Sequence, residues 1–206
     1  MPRAVIARLR RTMSEQLSRP SGTVGRLVAA GMNRGNRALN ARAIELLDVR
    51  PAARVLDLGF GGGLTFEPLL NRGATVVGVD RAGDMVAAAT ARHREAVEEG
   101  RLALHIGQVQ ALPLDDASVD RAITVNTVYF WPELEPGLRE LHRVLAPGGR
   151  IVIGIRDGSV MERVDPAVFT VRPAAEIAAA LEAAGFSAAE VHTAPNGTSH
   201  LVAADR

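Results

Sequence analysis

Val55-Leu56-Asp57-Leu58-Gly59-Phe60-Gly61-Gly62-Gly63-Leu64-Thr65 is the stretch that decides how this chain is read. A short apolar run passes into a turn rich in glycine, and a helical pattern follows from Phe66. Where Cβ atoms are missing, a ligand can lie directly against the backbone, whose N–H groups are free to bond it. The spacing excludes one class of occupant. A dinucleotide fingerprint has the form G-x-G-x-x-G. Counted from Gly59 its last glycine falls on Leu64, and counted from Gly61 it falls on Phe66. The spacing that does fit is acidic-x-Gly-x-Gly-x-Gly, carried by Asp57, Gly59, Gly61 and Gly63.

Working outward, short β-branched runs alternate with longer helical stretches after Pro51. The pattern predicts strands at Arg54–Leu58, Thr75–Val79, Leu102–Ile106, Val119–Thr124 and Arg150–Ile155, with helices at Phe66–Arg72, Ala82–Glu99 and Leu134–Leu145. Near-continuous apolar strands separated by helices are what a parallel sheet covered on both faces requires. A further helix is predicted from Ala174 to Ala184, closed by Gly185. Two strands follow, Glu190–Thr193 and Ser199–Ala203, joined by a turn at Pro195-Asn196-Gly197. Such a hairpin puts one antiparallel strand into the sheet. The expected fold is therefore α/β: a doubly wound, mostly parallel, seven-stranded sheet with an antiparallel C-terminal strand, preceded by an N-terminal helical arm. Residues 1–40 are read as the arm or lid and residues 41–206 as the ligand-binding domain.

The composition sets bounds on function. At 206 residues, 47% of them hydrophobic, the chain has room for one well-buried α/β domain. There is no cysteine, which removes disulfides, thiolate metal sites and a cysteine nucleophile together. No apolar run approaches the roughly 20 residues needed to span a bilayer. The first twenty residues have arginines but no continuous apolar core of a secretory signal, so a cytoplasmic location is the default expectation. The net charge is only +1, yet Arg3, Arg8, Arg10, Arg11, Arg19, Arg26, Arg34, Arg37 and Arg42 have only Glu15 as an acidic neighbour before Glu45. An arginine-rich arm can meet an anionic substrate, a membrane surface or nucleic acid, or simply be a solvated helix face. The arm has no aromatic side chain to stack on bases, which argues against nucleic acid.

The glycine spacing resembles the first motif of class I (Rossmann-like) S-adenosylmethionine-dependent methyltransferases, and the similarity continues along the chain. Thr75-Val76-Val77-Gly78-Val79 ends in Asp80, a strand-end carboxylate placed to accept from ribose hydroxyls; its alternative is a cap on the next helix. Gly107-Gln108-Val109-Gln110-Ala111-Leu112-Pro113-Leu114, then Asp115–Asp120, looks like the family's G-D-A-x-x-L-P-F…F-D segment, with Gln108 in place of the aspartate. Val125-Asn126-Thr127-Val128-Tyr129-Phe130-Trp131-Pro132 resembles the loop after the fourth strand. Leu138-Arg139-Glu140-Leu141-His142-Arg143-Val144-Leu145-Ala146-Pro147-Gly148-Gly149-Arg150 resembles the family's L-R-E-x-x-R-V-L-x-P-G-G-R segment. The likeness covers residues 41–206 and looks closest to the small-molecule branch that includes quinone-biosynthesis methyltransferases.

The resemblance implies S-adenosylmethionine as cofactor. Asp57, Gly59, Phe60, Gly61 and Gly63 would hold it on the glycine loop and Asp80 at the ribose. Arg81 and Met85 would pack on the adenine, Gln108 and Val109 would border it, and Asn126 would meet the methionine end. A glutamine at 108 can still accept a hydrogen bond through its side-chain carbonyl. The implied reaction is methyl transfer by in-line displacement to an oxygen or nitrogen of a small or medium-sized metabolite. Carbon methylation of a quinone-like ring, or a binding protein that keeps the fold without transfer, are the alternatives. Tyr129, Phe130 and Trp131 could wall the acceptor, with Trp131 equally able to anchor the following helix on the core. Tyr129 and His142 are the candidate catalytic residues, each against an ordinary packing role. No residues show metal-ligand spacing, so no metal is expected. A homodimer is a mild expectation on base rates.

Overall fold

The structure is a computed structural model, and it describes residues 36–157, 165, 167–194 and 196–206. The arm's residues 1–35 lie outside the described residues, as does the hinged lid expected of them. The described chain begins in a helix over residues 36–46 (α1), which runs without a break through the expected boundary at residue 40. There follow β1 (Arg54–Leu58), α2 (Phe66–Leu70), β2 (Thr75–Asp80), α3 (Gly83–Arg92), α4 (Arg94–Glu98), β3 (Leu102–Ile106) and β4 (Val119–Val125). A 3-10 turn at Val128–Phe130 leads to α5 (Leu134–Val144), β5 (Leu145–Arg156), α6 (Ala174–Ala183), β6 (Ser187–Thr193) and β7 (Ser199–Asp205).

The seven strands form one sheet in the order β3-β2-β1-β4-β5-β7-β6. Every pair through β5 is parallel, whereas β7 runs antiparallel to both β5 and β6. This is the doubly wound, mostly parallel sheet expected, closed by a C-terminal hairpin. Alternation within strands feeds two separate cores. Ile151, Ile153 and Ile155 of β5 pack with Leu138, Leu141, Ile177 and Leu181 from α5 and α6. Val152 points the other way and joins Leu39 and Ala43 of α1, Leu47 just after it, and Phe66 and Leu69 of α2. Both faces of the central strands are thus dry, which is why those strands read as largely apolar runs, whereas the edge strands β3 and β6 are mostly exposed or half-buried.

Two elements differ from the periodicity. The helix expected over Ala82–Glu99 breaks at His93, whose φ of −108° and ψ of 32° leave the helical region. The ring of His93 meets Phe66 edge-on, with centroids 5.5 Å apart, a tertiary contact that local sequence does not announce. The last strand before α6 begins at Leu145 rather than Arg150, because Leu145 pairs with Val119 before residues 146–149 loop out and Arg150 pairs with Arg121. Gly149 lies at the pinch. A Cβ there would overlap Leu145 Cδ2 and stand 3.0 Å from Asp120 O, so the Pro-Gly-Gly turn requires glycine on steric grounds.

The order reverses between β1 and β4: chain connections run from β1 outward through β2 and β3, then cross back to β4. Open α/β sheets bind their ligands in the crevice that such a reversal leaves at the strands' carboxyl ends. Among the described residues no helix is long and apolar enough to cross a membrane.

Candidate functional site

A cleft open to solvent lies at that reversal. Its floor is the end of β1 and the glycine loop: Asp57, Leu58, Gly59, Phe60, Gly61 and Gly62. One wall comes from the ends of β2 and β3, with Asp80, Arg81, Met85, Gln108 and Val109. The other comes from β4 and α1, with Asn126, Thr127, Phe130, Trp131, Asn36 and Asn40.

Asp80 ends β2, where β1 pairs with the strand up to Val79 and β3 pairs with it up to Asp80 itself. Its carboxylate accepts the backbone N–H of Gly61 at 2.8 Å through Oδ2 and that of Ala82 at 2.9 Å through Oδ1. Capping and ligand binding are therefore compatible, since each ionised oxygen offers two acceptor sites. Burial pushes its pKa up, and the two backbone bonds together with Arg81 pull against that shift. Asp57, also buried, accepts the hydroxyl of Thr65. Burial raises its pKa from 3.8 to about 7, the Thr65 bond opposes this, and the negative charge of Asp80 adds to it. Two carboxylates in one cleft that are costly to ionise together make a site that favours a cationic ligand.

The glycine loop is shaped by what faces it. Gly59 has φ +71°, and its N–H donates to Val79 O at 2.7 Å. A Cβ there would overlap the methyl of Thr127. The Thr127 hydroxyl pairs with that of buried Thr124, which also donates to Leu58 O at 2.8 Å. Loop and far wall are thus interlocked. Gly63 differs from its expected place: it does not line the cleft but packs against the Phe66 ring, leaving no room for a side chain.

Phe60, Arg81, Met85, Gln108 and Val109 all line the cleft. Met85 and Val109 are buried apolar surface, and Phe60 packs against Phe66 with the rings tilted by 52° and their centroids 5.0 Å apart. Gln108 is exposed at the rim. The segment carrying it is pinned from α5. Glu140 Oε1 accepts the Leu112 N–H at 2.8 Å, and Arg143 bonds Glu140 at 2.7 Å, Asp116 at 2.6 Å and Leu114 O at 2.9 Å. This gives the Glu140 and Arg143 positions of the L-R-E-x-x-R segment a physical purpose.

Neither catalytic candidate lines the cleft. Tyr129 is 2% exposed, and its hydroxyl accepts the backbone N–H of Arg156 while lying 3.2 Å from Arg156 O and 3.4 Å from Asn126 Oδ1. Burial pushes the phenol up to about 12. It is an anchor behind the wall, and Phe130 and Trp131 supply the aromatic surface instead. Phe130 stands edge-on to Phe169 at 4.6 Å, with the Arg81 guanidinium 5.4 Å from its ring. His142 packs edge-on against Phe186 at 5.1 Å, between α5 and the segment after α6. Its pKa is lowered by burial and by Arg206. The helix phase that buries Leu138 and Leu141 carries His142 away from the cleft.

Comparison with known proteins agrees with this geometry. Residues 56–153 match the family described as a methyltransferase domain. That match takes in a little under half of the chain. An uncharacterized methyltransferase of Mycobacterium tuberculosis is 38% identical over 118 residues, or 57% of this chain and 46% of that protein. A ubiquinone/menaquinone biosynthesis C-methyltransferase of a Geobacter species is 29% identical over 133 residues, 63% of this chain and 55% of its own. The match thus spans about half the length of these curated relatives. The crystal structure of an S-adenosylmethionine-dependent methyltransferase from Aquifex aeolicus superposes on 94% of this chain and 97% of its own. Its TM-score is 0.72 at 20% identity, so the likeness to the methyltransferase domain is one of fold.

Asn36, Asn40 and Thr127 also line the cleft without having been singled out from sequence. The signal for Thr127 was its place beside Asn126. The two asparagines lie four apart, hence on one helix face, but nothing local says that this face meets β4.

Proposed function

We propose that the protein transfers a methyl group from S-adenosylmethionine to a small or medium-sized metabolite by in-line displacement, with oxygen or nitrogen as the accepting atom. The observation that carries this reading is Asp80, a buried carboxylate at the end of β2 bonded to the Gly61 N–H of the glycine loop and open to the cleft. The residues present suit that cofactor. Asp80 retains acceptor capacity for two ribose hydroxyls, and Arg81, Met85 and Val109 border a slot for a flat base, with Gln108 at its rim. Asp57 and Asp80 favour a ligand that carries positive charge.

When bound, S-adenosylmethionine supplies an electrophilic methyl group. The chain's part is positioning and exclusion of water. The glycine loop offers backbone donors, and Asp57, held by Thr65, keeps the loop's start in place. Asn126 and Thr127 present a polar face at the β4 end of the cleft, and Phe130 and Trp131 present a dry aromatic one for the acceptor. Orientation of this kind contributes several kcal/mol, up to roughly 7–11 in ideal geometry.

Similarity to the Geobacter quinone-biosynthesis enzyme, with the flat surface of Phe130 and Trp131, supports carbon methylation of a quinone-like ring as a second reading. Incubation with methyl-labelled cofactor and panels of phenols, amines and reduced quinones separates the two by where the label appears. Tight cofactor binding without transfer to any panel member would favour the non-catalytic binding protein instead.

A further inference from the structure

The described part of α1 reaches the cleft through Asn36. Its Oδ1 accepts two hydrogen bonds, from Asn126 Nδ2 at 3.0 Å and from Arg156 Nη2 at 2.9 Å. The donors stand just past β4 and at the end of β5, so one carbonyl oxygen joins a helix to two neighbouring strands. Asn126 is the residue that needs holding. Its φ of +58° is in the left-handed region, which costs most side chains about 1–2 kcal/mol and asparagine less. Its backbone N–H donates to Gly154 O at 2.8 Å, and its Oδ1 lies 3.4 Å from the Tyr129 hydroxyl. With Nδ2 on Asn36 and Oδ1 beside Tyr129, the amide is oriented from both ends.

Sheet order decides which part of a ligand this wall meets. Asp80, Met85 and Gln108 stand over β2 and β3 on one side of β1, and Asn126 stands over β4 on the other. A ligand that engages Asp80 with its ribose and spans the cleft ends over β4. We propose that Asn36 is a positioning residue for that far end: by orienting Asn126, it makes α1 part of the subsite for the ligand's polar tail and leaves the nucleoside subsite independent of it. The inference rests on reading the cleft as an S-adenosylmethionine site.

The test is calorimetric titration of the full chain with two probes, S-adenosylhomocysteine and 5′-deoxy-5′-methylthioadenosine, which share the nucleoside and differ in the amino-acid tail. Asn36→Ala is expected to weaken the first roughly tenfold, the worth of one well-placed hydrogen bond, and to leave the second at the wild-type affinity. The double variant with Asn126→Ala should bind no worse than Asn126→Ala alone, because a residue acting through another shows no separate loss. Equal weakening of both probes, no change in either, or additive losses would each overturn the proposal. If Asn36→Ala does not fold, as a thermal melt would reveal, Asn36→Ser carries the same expectation with a side chain too short to reach both donors. Wild-type protein that binds neither probe removes the cofactor reading and this inference with it. Wild-type binding with an indifferent Asn36 removes the inference alone.

Discussion

The hydroxyl of Tyr129 accepts the backbone N–H of Arg156, fastening the turn after β4 to the end of β5. The bond explains why a tyrosine, buried and with its phenol pushed up to about 12, belongs at a position that does not line the cleft. Tyr129→Phe should cost about 1–2 kcal/mol, since it leaves a partly buried N–H unpaired. The pH dependence of methyl transfer should stay as in the wild type. Urea unfolding and a pH–rate profile read the two parts separately. A collapse of turnover with stability intact would return Tyr129 to the reaction.

Asp57 makes the stability of the ligand-free protein depend on pH in an unusual direction. Its pKa is raised from 3.8 to about 7, chiefly by burial. The folded state therefore holds a proton that the unfolded state releases. This contribution is fully present below about pH 4 and is lost as pH rises through 7, with a ceiling of about 4 kcal/mol at about 1.36 kcal/mol per unit. Thermal melts between pH 5 and 8.5 should show the wild type losing stability with rising pH and Asp57→Asn losing less. A wild-type melting temperature that climbs across that range would contradict the assignment.

Gly59 and Thr127 should behave as a coupled pair. Gly59→Ala places a Cβ on the Thr127 methyl at a φ of +71°, and the left-handed conformation alone costs about 1–2 kcal/mol. Thr127→Ser removes the methyl but keeps the hydroxyl bonded to Thr124. The double variant should recover part of the loss in urea unfolding, leaving the strain of the backbone. Strict additivity would mean that the loop relaxes away from Thr127.

The Glu140–Arg143 clamp predicts an effect on the cleft from a residue that does not line it. Glu140→Ala leaves the Leu112 N–H without its acceptor and takes from Arg143 one of the two carboxylates it bonds, Asp116 remaining. Stability should fall by about 1–2 kcal/mol, and cofactor affinity should weaken because the Gln108–Val109 wall is no longer pinned. Arg143 also holds the Glu140 carboxyl below the usual range, so the clamp's contribution is present at neutral pH and is lost as pH falls through that lowered value. Calorimetry on Glu140→Ala and Glu140→Gln checks this, with Gln expected to lose less because it still accepts from Leu112.

Much of this architecture is legible in the sequence because the same physics acts locally. A parallel strand buried on both faces must be apolar throughout, so Val55–Leu58 and Ile151–Ile155 declare themselves. A loop that carries φ values of +71°, +51° and +68° at Gly59, Gly61 and Gly63 must be written in glycine. Asp80 is visible because it is a charge ending an apolar run.

What escapes is set by contacts between distant segments. Asn36 and Asn40 look like ordinary polar positions on a helix until α1 packs on the sheet and brings both to the cleft, with Asn36 bonded to Asn126, 90 residues on. His142 follows the cleft loop closely in sequence, yet the phase of α5 turns it toward Phe186. Gly63 fits the motif's spacing, but its reason is the Phe66 ring behind the loop rather than a ligand in front of it. The break at His93 has no glycine or proline to announce it.

The most direct measurement is calorimetric titration of the purified protein with S-adenosylmethionine, run in parallel on Asp80→Ala. Carboxylate hydrogen bonds to two hydroxyls are worth roughly 1.5–3 kcal/mol each, so saturable one-to-one binding by the wild type should weaken at least about a hundredfold in a variant that remains folded. Folded wild-type protein that takes up no S-adenosylmethionine, or an Asp80→Ala variant that binds it as tightly as the wild type, would contradict the account.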